Sequence, residues 1–104
     1  MTKEEARTEI SRTAQAMLSG AMSLFEGARR IASLRFPADL ETDPDVMAFV
    51  GIDSETDAMP LGSVREYWQS DALEKLRPEI AKAEAWAHNF GSPSAERLAA
   101  RFSN

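Results

Sequence analysis

The chain has 104 residues, enough for one domain and too few for two. Its 43% hydrophobic and 28% charged residues exclude collagen-like, low-complexity and wholly disordered chains. The absence of cysteine and the single histidine (His88) exclude disulfides, thiol nucleophiles, Cys-ligated zinc and multi-histidine metal centres, and a net charge of −5 disfavours a general DNA binder.

Helix one opens at a capping box, Thr2 with Glu5 three residues on. Its apolar positions Ala6, Ile10, Ala14, Met17, Leu18 and Ala21 recur at helical spacing, and Gly20 ends or bends it. Ser23 with Glu26 is a second capping box, and Leu24, Phe25, Ala28, Ile31, Ala32 and Leu34 form the buried stripe of helix two. On the outer side Glu26 is in reach of Arg29 or Arg30. Pro37 prevents continuation.

Asp43-Pro44 is a helix start, a capping acid followed by proline at the first helical position. The run Val46 to Ile52 has the composition of a buried strand, but the chain offers no second strand to pair with it, so a short helix is expected. Residues 53–62, with their acids, Pro60 and Gly62, read as a loop. Ser63 with Glu66 opens a short helix anchored by Val64, Tyr67 and Trp68.

Ser70 caps the next helix, whose stripe is Leu73, Leu76, Ile80, Ala83, Ala87 and Phe90. Pro78 lies off that stripe and should kink or split the helix. Gly91 is the expected stop, with Ser92-Pro93 opening a last helix that turns Ala95, Leu98, Ala99 and Phe102 inward. Residues 1–104 therefore read as a single all-α domain, a small irregular bundle of five or six helices. The five Phe, two Trp and one Tyr are expected to build most of its core.

Charge is distributed unevenly along these elements. Residues 1–36 sum to +2, residues 37–74 to −9 and residues 75–104 to +2. Such a block can steer a basic partner, or its acids can cap helices and pair with the basic ends of the same chain. No apolar stretch is long enough to cross a membrane and the N-terminus lacks a signal-peptide core, so a cytoplasmic protein is expected.

Several site templates fail on particular residues. Ala16 and Gly20 resemble the alanine and turn glycine of a helix-turn-helix, but Glu26 stands where an apolar residue is required. Asp53, Glu55 and Asp57 alternate like the start of an EF-hand loop, but Ala58 replaces the glycine and Val64 the bidentate glutamate. His88 follows Glu84 by one helical turn on a solvent face with Glu74, Arg77 and Ala81, the pattern of a surface ion pair. No catalytic residue, metal site or cofactor is expected.

The stretch from Phe49 to Asp57, then Pro60-Leu61-Gly62, Trp68 and Ala72-Leu73, resembles a family of small bacterial all-helical proteins without an assigned function. The segments from Gly27 to Ala32 and from Glu79 to Trp86 are similar to it too. The resemblance implies a compact bacterial domain and carries over no catalytic residue. It draws attention to Asp53–Asp57.

The leading functional expectation is a non-enzymatic protein-interaction module whose acidic central face binds a basic partner, as an immunity or antitoxin-like inhibitor would. Asp53, Glu55 and Asp57 would supply charge, with Tyr67 and Trp68 as anchors. One alternative is a small-ligand or enzymatic site combining Asp53, Glu55 or Asp57 with Arg29 and Arg30. Another is a homodimer formed through the Leu73–Phe90 stripe. Neither DNA nor membrane is an expected partner.

Overall fold

The structure, a computed structural model, describes residues 1–56 and 70–102, with the helical backbone alone for 70–73. Among these residues every regular element is a helix: α1 (Lys3–Ser19), α2 (Leu24–Leu34), α3 (Pro44–Thr56) and α4 (Ser70–Arg101). The all-α expectation is met, with four helices among the described residues where five or six were expected in the chain. The helix expected from Ser63 to Trp68 lies outside the described residues.

Most helix ends form where the sequence marks them. Thr2 Oγ1 accepts the Glu5 amide at 3.1 Å, and Ser23 Oγ accepts the Glu26 amide at 3.1 Å. Gly20 closes α1 at φ 84°, a left-handed conformation that glycine adopts without cost. Asp43 Oδ1 accepts the amides of Asp45 (3.0 Å) and Val46 (3.3 Å), and Pro44 needs no partner there. Beyond α2 the chain makes a further turn, with Asp39 left-handed at φ 57°. There the Leu40 amide donates to the Arg35 carbonyl (2.9 Å) and the Asp39 amide to that of Phe36 (3.0 Å), the Schellman pattern, sealed by buried Leu40.

The C-terminal half departs from expectation. Ser70–Arg101 is one helix of 32 residues that contains Pro78, Gly91 and Pro93. Both prolines face solvent, so the carbonyls they orphan can be hydrated while the buried side keeps its ladder. Gly91 does not stop the helix, because it lacks the positive φ by which Gly20 stops α1. It is instead a notch: a Cβ there would lie 2.9 Å from Ile52 Cδ1 and 3.1 Å from Phe49 Cε1. Gly27 plays the same part for the Met17 side chain, which occupies the space a Cβ would need.

α4 is the spine, running along the 44 Å long axis of the molecule. α1 lies antiparallel to its C-terminal part, where Ser11 Oγ donates to the Ala99 carbonyl at 3.0 Å and Arg7 covers the Phe102 ring at 5.7 Å. α3 is also antiparallel to it, with Asp43 beside Arg101, Asp45 beside Arg97 and Phe49 and Ile52 around Gly91. α2 packs on α1, α3 and α4.

The shared core includes Ile10, Ala14, Phe25, Ala28, Ile31, Val46, Phe49, Ile52, Ile80, Ala87 and Leu98. It is aliphatic and alanine-rich, not mainly aromatic as expected. Of the described aromatic side chains only Phe25 and Phe49 are buried, whereas Phe36, Trp86 and Phe90 are 59%, 41% and 50% exposed. Leu18 and Phe90 also fall outside the stripes assigned to them, each at the rim of its helix's buried face. Among the described residues no helix is long and apolar enough to cross a membrane.

Candidate functional site

Asp53 and Glu55 are not in a loop. They occupy the last turn of α3, which continues to Thr56. The buried series Val46, Phe49, Ile52 and Thr56 keeps helical spacing through the acidic residues, and Thr56 Oγ1 donates to the Ile52 carbonyl at 2.7 Å. Burial of Ile52 and Thr56 thus extends the helix three to four residues past the point where acidity suggests a loop. Asp57, Tyr67 and Trp68, and the failed EF-hand positions Ala58 and Val64, lie outside the described residues.

α2 and α3 run side by side, which brings Arg29 Nε to 3.5 Å from Asp53 Oδ1. The segments of the alternative site therefore do meet at this pair. Arg30 turns the other way, to Glu9 Oε2 at 3.0 Å, and Glu9 also holds Arg12 at 2.9 Å. Glu55 is exposed and makes no ion pair among the described residues. The Arg29 side chain is half exposed, so this contact is a modest surface ion pair.

The acids that matter most to the fold are two that carried no functional expectation. Asp45 Oδ1 accepts from Arg97 Nε at 2.7 Å and its Oδ2 lies 3.4 Å from Arg101 Nη1; Asp43 Oδ2 lies 2.7 Å from Arg101 Nη2. The Arg101 hydrogen bond holds the Asp43 carboxyl below its ordinary value, against the opposing effect of partial burial, and the amides of Val46 and Asp45 add to the lowering. Asp43 in turn raises the pKa of Arg101. Arg101 also covers the Phe102 ring at 4.9 Å, on which Arg7 lies too, and Arg7 Nε donates to the Ala38 carbonyl at 2.9 Å. The visible signal was the i, i+4 pair Arg97 and Arg101 in a basic C-terminal segment, opposite an acidic helix start.

An open groove of about 610 Å³ lies between the start of α2 and the middle of α4. Leu24, Phe25, Ala81 and Ala85 line it, with Ser23, Glu84, His88 and Asn89 as polar neighbours. Glu84 and His88 do not form the ion pair expected of them, as none lies within 4.0 Å. Both point instead to the groove. The Arg29–Asp53 register sets the end of α3 near the start of α2, and the packing of Ile52 on Gly91 sets it level with the groove along α4.

Among the described residues no three His, Asp or Glu side chains cluster as metal ligands would, and no buried side-chain polar atom lacks a hydrogen bond. Compared with family models, curated proteins and solved structures, the chain finds no match.

Proposed function

We propose that the chain is a protein-interaction module that receives a basic partner beside the middle of α4, where the groove and the C-terminus of α3 lie near one another. The observation that carries this reading is the groove itself, apolar along Leu24, Phe25, Ala81 and Ala85 and bordered by Glu84. A concave apolar surface with a few polar groups at its edge suits one anchoring side chain of a partner, with neighbouring charge for orientation.

On this reading, the acids already engaged within the fold are distinguished from those left to serve. Asp43 and Asp45 are engaged with Arg97 and Arg101, and Asp53 with Arg29, so they belong largely to the fold. Glu55 and Glu84 remain unpaired among the described residues and would supply the charge. An inhibitor of a cationic toxin is one concrete form of such a module.

A photo-crosslinking residue in place of Ala85, which is exposed and lines the groove, tests the reading in cells. The expected result is a dominant adduct with a basic protein, weakened several-fold by Glu84→Lys with Glu55→Lys and by added salt. Absence of a specific adduct, or one indifferent to both charge reversals, would refute it. The contact between Arg29 and Asp53 favours a second reading, a small-anion or small-cation site there; its half-exposed position outside the groove makes it the weaker one.

A further inference from the structure

The stripe from Leu73 to Phe90 was the sequence's candidate for a dimer interface, but its described members Ile80 and Ala87 are spent in the molecule's own core. A different flank of α4 has the pattern of an interface. Lys75, Glu79, Lys82 and Trp86 follow one another at steps of four, three and four residues, so they line up along the helix as alternate seam positions of a heptad. All four are exposed. Among the described residues, Lys75, Glu79 and Lys82 make no ion pair, although Glu79 lies between two lysines on this stripe. Phe90 continues the flank and stacks on Trp86, with ring centroids 5.4 Å apart and planes 13° from parallel. Half of the Phe90 ring and two-fifths of Trp86 stay in water.

The order of charges on this stripe is self-complementary. Setting a second copy of α4 antiparallel about a two-fold axis between residues 80 and 81 places Glu79 against Lys82 of the other copy, and Lys75 against the other copy's Trp86. Each contact then occurs twice, as a two-fold interface requires. Seam positions of antiparallel helices face one another in this alternating way. The pairs are chemically matched: carboxylate with ammonium, and ammonium with the face of an indole. A parallel arrangement in register would instead set Glu79 on Glu79 and Lys82 on Lys82.

We infer that the Lys75–Glu79–Lys82–Trp86 flank of α4 is a two-fold interface through which two copies of this chain associate antiparallel. It leaves the groove bordered by Glu84 and His88 on another flank of the same helix, so association and partner binding are separable.

Sedimentation equilibrium of the purified chain up to about 1 mM, the weakest association of practical weight, tests the inference. A monomer–dimer equilibrium is expected. Glu79→Lys and Lys82→Glu alone should each weaken it about tenfold or more by facing like charges across the axis. The double variant should restore it, because every cross-axis pair is then reversed together. Trp86→Ala should weaken it as well. Far-UV circular dichroism and melting of each variant at dilute, monomeric concentration separate a loss of fold from a loss of association. A chain that stays monomeric throughout overturns the inference. So does a dimer unmoved by the single reversals, or a double variant no better than either single.

Discussion

Gly91 shows how much can turn on one hydrogen atom. Its sequence context, ahead of Ser92-Pro93, reads as a helix stop; in the fold it makes room on α4 for Phe49 and Ile52 of α3. A stop and a notch both require glycine, for different reasons: the first needs a backbone angle, the second needs space. Only the packing of Phe49 and Ile52 decides between them, and that contact joins residues about forty positions apart. Gly91→Ala should therefore cost about 0–2 kcal/mol net, the overpacking of the Phe49 ring less the roughly 1 kcal/mol that alanine gains over glycine in a helix. Were Gly91 a left-handed cap, the cost would arise from backbone strain, and Asn would be tolerated better than Ala. Urea denaturation of the two variants separates the cases: the notch predicts Asn to be the worse substitution because it is larger.

At the scale of elements, local chemistry marked the starts of α1, α2 and α3 well, because a capping side chain and its amide lie within three residues of each other. The ends were less legible. α3 runs into its acids because Ile52 and Thr56 are buried, and α4 passes through two prolines because both lie on its wet side. Those are tertiary facts that no local window contains. Asp53 and Glu55, read as loop residues, lie in α3, and the division of the acids into paired and unpaired groups depended on which arginine lay across the bundle. Pro93 gives a direct check on the continuous helix. Replaced by Ala in a helix interior, it should raise stability by about 2 kcal/mol, the interior proline penalty less the entropy that proline removes from the unfolded chain. At the first position of a separate helix the same change would leave stability level or lower it. The denaturant midpoint of Pro93→Ala reads the difference.

For the molecule as a whole, the uneven charge acts first as a fastening between the ends of helices. The acidic start of α3 meets the basic end of α4, and Phe102 sits under Arg7 and Arg101 where α1 arrives. The lowered pKa of Asp43 gives this fastening a pH signature. In the unfolded chain the carboxyl titrates near its ordinary value of 3.8, and in the fold it titrates lower. Its contribution is therefore complete above the unfolded value and is lost as pH falls from there through the folded one. Asp43→Asn should flatten that part of the stability–pH curve while keeping an N-cap. Asp43→Ala should cost about 1 kcal/mol more than Asn at neutral pH, the ordinary worth of a cap. Chemical denaturation between about pH 2 and pH 7 checks both, and an unchanged acid limb in Asp43→Asn would show that other carboxylates carry it.

The antiparallel register of α1 on α4 also bears on synthesis. Ser11 waits for Ala99, and Arg7 for Phe102, so α1 leaves the ribosome well before the part of α4 on which it packs. Contacts that span nearly the entire chain form slowly, since their loop must close before they yield anything. Before residues 97–102 emerge, α2, its sequence neighbour, can already cover part of the apolar face of α1. A nascent α1–α2 hairpin can thus shelter Ile10, Ala14 and Met17 until α4 is made, and Gly27, which accepts the Met17 side chain, helps that hairpin close before the spine arrives.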